Sequence, residues 1–244
     1  MSDSKSDRIY SEYRERISDF VFDENVVSVF DDMIQRSVPG YATVIAMTKV
    51  IAEQYAAAGS NCYDLGCSLG ASTLAMRRGI GADGCRITAV DNSPAMVEKC
   101  RKIVEADSCD VPVEIIQSDI LDVEIENASM AVMNFTLQFL SPARRDEMVQ
   151  KIYDGMNEGG VLVLSEKIAY EDSDEDEFQI AMHHNFKKLH GYSDMEVSQK
   201  RKSLENVLIP DTLQTHRKRL SDAGFKNCYI WFKCFNFVSL AAFK

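Results

Sequence analysis

The sequence predicts an α/β fold of Rossmann type: a mostly parallel seven-stranded sheet, a C-terminal antiparallel hairpin and one helical insertion. Three observations carry this. The run Cys62-Tyr63-Asp64-Leu65-Gly66-Cys67-Ser68-Leu69-Gly70-Ala71 reads as a strand that breaks into a small-residue turn and then a helix. Ile87-Thr88-Ala89-Val90-Asp91 reads as a buried strand ending in an acid, 25 positions after Gly66. Strands and helices then alternate until the last two strands, which follow one another directly.

The elements are taken in chain order. Residues 1–19 are polar and charged and predict a flexible or loosely docked leader. Residues 20–244 form one domain. Residues 21–32 mix Phe22, Val26, Val27, Val29 and Phe30 with acids and predict a short helix. Arg36-Ser37-Val38-Pro39-Gly40-Tyr41 is a turn that starts a helix running to about Ala58. Strands are predicted near 61–65, 86–90, 113–117, 129–134 and 160–165, with helices near 70–79, 94–106 and 142–156. Ser93-Pro94 is a helix start, with Ser at the N-cap and Pro at the first helical position. Asn157-Glu158-Gly159-Gly160 and Asp222-Ala223-Gly224-Phe225 stop helices before strands. The last two strands span 227–234 and 236–243.

The insertion covers about 170–209. Its acidic opening, 170–177, is a solvated loop or a helix start. Phe178, Met182, Phe186 and Leu189 follow at helical spacing, a stripe expected in the core or at a dimer contact. Ser193-x-x-Glu196 is a capping box for a second helix. On that helix Val197, Arg201, Leu204 and Leu208 share one face. Arg201 on an apolar stripe must reach solvent or pair with an anion, because a buried unpaired charge is costly. Its anion is either a structural carboxylate or that of a ligand, which suits its planar fork.

Composition narrows the function. The net charge is −11, and no basic stripe is evident for nucleic-acid phosphates, so a small substrate is favoured over direct nucleic-acid binding. No apolar run approaches the roughly 18–20 residues that span a membrane, and the N-terminus has no apolar signal region. Seven cysteines without a C-x-x-C pair read as free thiols of a reducing, cytoplasmic setting. Neither they nor His183-His184 show metal-ligand spacing, so no metal is expected.

The turn motif then separates two ligand classes. A dinucleotide fingerprint is G-x-G-x-x-G. Here Asp64 precedes Gly66 by two positions, giving Asp-x-Gly-x-Ser-x-Gly. That acid would repel a pyrophosphate and suit a cationic ammonium or sulfonium group, directly or through water. The pattern resembles motif I of the class I S-adenosylmethionine-dependent methyltransferases, and Asp91 stands where a carboxylate would take both ribose hydroxyls. The fourth strand ends in Asn134-Phe135-Thr136-Leu137-Gln138-Phe139, without the N/D-P-P-Y motif usual in amino-methyltransferases. Asn134 either holds a ligand or caps a loop. No general base is evident, so the chemistry rests on positioning and on the ligands.

Several blocks outside the cofactor motif carry a closer resemblance. They include Phe22-Asp23-Glu24-Asn25-Val26, Met33-Ile34-Gln35-Arg36-Ser37-Val38-Pro39-Gly40-Tyr41, Asp91-Asn92-Ser93-Pro94-Ala95-Met96 and Asn134-Phe135-Thr136-Leu137-Gln138-Phe139-Leu140. Leu164-Ser165-Glu166-Lys167, Ser198-Gln199-Lys200-Arg201, Leu204-Glu205-Asn206-Val207 and Trp231-Phe232-Lys233-Cys234-Phe235-Asn236-Phe237 add to it. From about Phe20 to Lys244 the chain resembles the carboxy-S-adenosyl-L-methionine synthase family. Val238, where a glycine is usual, is a modest departure.

The resemblance implies that S-adenosyl-L-methionine and prephenate become carboxy-S-adenosyl-L-methionine, phenylpyruvate and water. The hydroxide leaving prephenate takes a proton from the sulfonium methyl, and the resulting ylide captures the released carbon dioxide. It also implies a homodimer, with the insertion at its interface, and a product passed to a tRNA carboxymethyltransferase that forms wobble uridine-5-oxyacetic acid. By motif position it implies that Tyr41, Gly66, Cys67, Ser68, Asp91, Asn92, Asp119, Ile120 and Asn134 line the S-adenosylmethionine site. Asp91 would take the ribose and Asp119-Ile120 the adenine, while Arg201 would pair with the added carboxylate. The alternatives are an ordinary small-molecule methyltransferase, which would yield S-adenosylhomocysteine, and a non-catalytic binding partner in a tRNA-modifying complex.

Overall fold

The computed structural model describes residues 6–244. Seven strands form one path in the order β3-β2-β1-β4-β5-β8-β7. They are β1 (Asn61–Leu65), β2 (Arg86–Asp91), β3 (Val113–Gln117), β4 (Ala128–Asn134), β5 (Met156–Ala169), β7 (Asn227–Cys234) and β8 (Phe237–Phe243). The first five pair in parallel, while β8 runs antiparallel to both β5 and β7. A two-residue strand, β6 (Asp211–Thr212), pairs with the end of β5 and was not foreseen in the sequence.

The central strands are near-continuous apolar runs because both sheet faces are covered. Met130, Val132, Val161 and Val163 enter one core cluster; Ala131, Met133, Leu162 and Leu164 enter the opposite one. Strand order reverses between β1 and β4, so the crevice beyond their carboxyl ends is the expected ligand position in an open α/β sheet.

The helices follow their local signals. α1 (Glu24–Ser37) is capped by Asp23, whose Oδ1 accepts from Val26 N at 3.0 Å. It runs past the expected end at 32 and absorbs Arg36, because nothing stops it before Pro39 forces Val38 into an extended conformation. α2 (Tyr41–Tyr55) and α3 (Ala71–Gly79) each start after a left-handed glycine. α4 (Pro94–Glu105) has Ser93 as N-cap, and α5 (Arg145–Gly155) precedes β5.

In the insertion, the acidic run becomes the first turn of α6 (Ser173–Leu189), with Lys187 and Lys188 in its last turn. Both placements favour the helix dipole. α7 (Asp194–Leu204) carries the predicted capping box, and α8 (Leu213–Ala223) leads to the final hairpin. Leu208 lies beyond the end of α7. The expected apolar stripe of α6 does not face inward: Phe178 and Leu189 are 57% and 82% exposed. The inward face is Ile180, His183, His184 and Lys187, which line a cavity.

The leader makes defined contacts with the domain near its start. Residues 1–5 lie outside the described residues, but Asp7 and Tyr10 are buried. The Asp7 carboxylate accepts from Tyr192 OH at 2.5 Å, and Tyr10 OH donates to Ser203 Oγ at 2.8 Å. Gln199 Nε2 donates to the carbonyls of Tyr10 and Glu12 at 3.0 and 2.9 Å. The polar residues that suggested a loose leader are those that tie it to α7. Among the described residues no helix is long and apolar enough to cross a membrane.

Candidate active site

The turn after β1 is tied to the end of β2. Gly66 N and Cys67 N both donate to Val90 O, at 2.8 and 2.9 Å. Gly66 has φ +87°, and a Cβ there would lie 2.3 Å from Thr136 Oγ1. The position therefore requires glycine on both conformational and steric grounds. Ser68 N donates to Asp91 Oδ2 and Ser93 N to Asp91 Oδ1, each at 2.9 Å. This clamp fixes the carboxylate at the tip of β2. Each oxygen has capacity for a further donor. Burial holds Asp91 above its ordinary pKa, against the two N–H groups.

Asn134 ends β4. Its Oδ1 accepts from Ser165 Oγ at 2.7 Å and its Nδ2 donates to Ser72 Oγ at 2.9 Å. Ser239 Oγ continues the chain to Ser165 Oγ at 2.8 Å. The amide is thus fixed by β5, β8 and α3. Beyond it, Phe135 turns the backbone at φ +62°. The following 3₁₀ turn is held by Glu166, which accepts from Leu137 N at 2.8 Å and Gln138 N at 3.1 Å. Burial pushes Glu166 up to about 8.

A cavity of about 730 Å³ opens where these ends meet, a size usual for small-ligand sites. Gly66, Ser68, Asp91, Asn92, Asp119, Ile120, Asn134 and Arg201, eight of the ten expected site residues, line it. Asp119 Oδ1 accepts from Leu121 N at 2.9 Å, which turns the segment after β3 toward the cavity. The other two lie behind the wall. Cys67 is buried against Ala89, Cys100 and Val104, and the neighbouring Cys100 thiol with burial pushes its thiol well up. Tyr41 packs on Phe135 with ring centroids 6.3 Å apart, and burial raises its phenol.

Asp64 does not line the cavity either. Its carboxylate is buried and accepts from Thr73 Oγ1 at 2.5 Å, with burial pushing it up to about 7. It ties the turn to α3 rather than facing a cation.

Sequence reasoning missed two parts of the wall. Phe22 stands edge-on to Phe139 at 5.4 Å and to Phe20 at 5.0 Å, forming an apolar side. The cavity also gathers Lys167, His183, His184, Lys187 and Lys200 beside the expected Arg201. Lys200 Nζ has partners, Ser37 Oγ at 3.1 Å and Asp7 Oδ2 at 3.7 Å. Arg201, Lys167 and Lys187 make no side-chain hydrogen bond or ion pair among the described residues. Burial lowers Lys187 to about 7, and depresses His183 to about 2 and His184 to about 4, so both rings stay neutral. His183 Nε2 lies 2.8 Å from Ser37 O, which makes it the donor. The His183-His184 pair was visible in the sequence, but only as a test for metal spacing. The cavity wall thus combines a carboxylate able to accept from hydroxyls, aromatic surface and a group of cations.

Comparison with known proteins agrees with this architecture. A family model described as "Methyltransferase domain" matches residues 63–160. The carboxy-S-adenosyl-L-methionine synthase of Aliivibrio fischeri (strain MJ11) is 54% identical over 238 residues, covering 98% of both chains. That of Escherichia coli (strain K12) is 53% identical over 241 residues, covering 99% of this chain and 98% of its own. Among solved structures, human N-acetylserotonin methyltransferase in complex with SAM superposes with a TM-score of 0.61 at 15% identity, over 91% of this chain and 55% of that one. PigF with SAH gives 0.62 at 16% identity, over 91% and 60%. The chain spans a little over half the length of these two structures, whose likeness concerns the fold alone.

Proposed function

The chain belongs to the carboxy-S-adenosyl-L-methionine synthase family, and from that premise we propose that it converts S-adenosyl-L-methionine and prephenate to carboxy-S-adenosyl-L-methionine, phenylpyruvate and water. The observation that carries this reading is one cavity lined both by the clamped Asp91 carboxylate and by Arg201, an exposed guanidinium without an ionic partner among the described residues. S-adenosyl-L-methionine brings only the α-carboxylate of its amino-acid end, next to Asn134 in this reading, whereas the carboxylated product brings a second carboxylate for Arg201 to hold.

The protein's part is to bind, orient and exclude water. Asp91 accepts from the ribose hydroxyls while Ser68 N and Ser93 N keep its oxygens in place. Gly66 and Ser68 let the turn backbone approach the ligand, and Cys67 and Tyr41 support the wall from behind. Asp119 accepts from the adenine amino group beside Ile120 and Asn92. Asn134, immobilised by Ser72 and Ser165, faces the amino-acid end. Arg201 pairs with the new carboxylate. The substrates supply the chemistry: prephenate loses carbon dioxide and hydroxide, the hydroxide takes a methyl proton as water, and the carbon bonds to the carbon dioxide. Holding two ligands in register in a site shielded from bulk water is the main requirement.

The exposed Phe178 and Leu189 of α6 support a homodimer built through the insertion. The seven free thiols fit a cytoplasmic setting. The product would serve a tRNA carboxymethyltransferase.

Mass spectrometry of small molecules that co-purify with the protein tests the reading. An S-adenosylmethionine species heavier by one carboxyl group supports it. S-adenosylhomocysteine formed from S-adenosylmethionine in the presence of prephenate would instead identify an ordinary methyltransferase.

A further inference from the structure

The cationic group in the cavity wall holds more positive charge than the carboxylated nucleoside needs. Arg201 is assigned to that ligand's new carboxylate, and Lys200 is already matched by Asp7 at 3.7 Å. Lys187 on α6 and Lys167 at the end of β5 are left over. Lys187 is 6% exposed, lines the cavity and has no hydrogen-bonding or ionic partner among the described residues. Its charged neighbours are mainly like charges, Lys200 and Lys167, with Asp7 the one acid. Lys167 is faced by Asp176 and by Arg201. In a chain of net charge −11, a buried Lys187 that makes no ion pair of its own, beside the half-buried Lys167 and sharing only Asp7 with Lys200, marks a place for an anionic ligand.

Chemistry decides which anion. Resting on the function proposed above, prephenate carries two carboxylates. The ring carboxylate must leave as carbon dioxide, and a tight ion pair to it would stabilise the reactant over the transition state. The side-chain carboxylate, next to the keto group, is unchanged in phenylpyruvate. A permanent ionic anchor is best placed there, where it orients the ring without slowing the loss of carbon dioxide. We infer that Lys187, with Lys167 beside it, binds the 2-keto-acid carboxylate of the second substrate. Lys187 thereby determines which cyclohexadiene acids the enzyme accepts. His183 and His184, on the same face of α6, add no competing charge.

The test is steady-state formation of carboxy-S-adenosyl-L-methionine by the full chain, with Lys187→Met, Lys187→Arg and Lys167→Met compared with wild type. Lys187→Met keeps the side-chain volume and removes a buried unpaired charge, so it should fold and melt no lower than wild type. The expected result is a roughly 10- to 100-fold rise in KM for prephenate with Lys187→Met. KM for S-adenosylmethionine should stay within threefold, and Lys187→Arg should recover part of the loss. Phenylpyruvate, as product inhibitor, should weaken in parallel. Unchanged KM for prephenate, or an equal rise for both substrates, overturns the anchor and leaves the proposed function standing. Failure of wild type to make the carboxylated product from prephenate overturns both.

Discussion

Replacing Asp91 by Asn keeps the shape of the side chain and changes only its hydrogen bonding. Ser68 N and Ser93 N each donate to one carboxylate oxygen at 2.9 Å. An amide has one acceptor oxygen, so one of these N–H groups would face an NH₂. An unsatisfied donor costs about 1–3 kcal/mol, partly offset because a neutral amide no longer pays to bury charge. A loss of about 1 kcal/mol should lower the melting temperature of the ligand-free protein by about 2–4 °C at this chain length. The ligand loses more. Two ribose hydroxyls that meet a carboxylate make charge-assisted bonds of about 1.5–3 kcal/mol, whereas the amide keeps one neutral acceptor. Affinity for S-adenosylhomocysteine should therefore fall by about 2–4 kcal/mol, or roughly 30- to 1,000-fold. Isothermal calorimetry on the folded variant measures this directly. Affinity within threefold of wild type would refute the assignment of Asp91 to the ribose.

Three further outcomes follow from the same geometry. Gly66→Ala meets both φ +87° and the Thr136 side chain, so it should cost about 2–5 kcal/mol in thermal or urea unfolding; Thr136→Ala in the same chain should return part of that. Arg201→Ala should weaken carboxy-S-adenosyl-L-methionine at least tenfold more than S-adenosylmethionine in paired titrations, as expected for a lost charged hydrogen bond, and equal weakening would remove its assigned role. His183 has a folded pKa of about 2, below its ordinary 6.5; the neutral ring is required in the folded state, so its contribution is full above pH 6.5 and is lost as pH falls from there toward the folded value. At pH 4 the loss should reach about 3 kcal/mol, and urea unfolding of His183→Gln should show a shallower decline between pH 6.5 and 4 than wild type.

Most of the sheet was legible in the sequence because its central strands are apolar runs between strong punctuation, although β5 starts at Met156 and takes in the 157–160 segment expected to precede it. Ser93-Pro94, the capping box at Ser193 and Gly224 each mark a helix boundary by local chemistry, and all three stand in the structure where that chemistry places them. That Gly66, Ser68 and Asp91 would meet was legible for the same reason, since they lie at or just beyond strand tips whose positions follow from strand order. Of the cationic group, only Arg201 was. Lys187 and Lys200 look like ordinary solvated positions beside more apolar neighbours. Only the packing of α6 and α7 over the crevice turns the polar face of α6 inward and leaves Phe178 and Leu189 outside. Asp64 was read as facing a ligand cation, yet the partner that takes its carboxylate, Thr73, is nine residues away on the next helix. Glu166 escaped notice because its role, holding the turn at Leu137 and Gln138, joins segments nearly thirty residues apart. The leader's grip on α7 likewise depends on pairs such as Tyr10 with Ser203, which no local pattern announces.

The most direct measurement of the central claim is the fate of the ring carboxyl carbon of prephenate. Purified protein is incubated with S-adenosyl-L-methionine and prephenate labelled with carbon-13 at that carboxyl, and the nucleoside product is read by mass spectrometry. The account predicts a carboxylated S-adenosylmethionine carrying the label, with phenylpyruvate formed in equal amount. Label released entirely as bicarbonate, or S-adenosylhomocysteine as the sole nucleoside product, would contradict it.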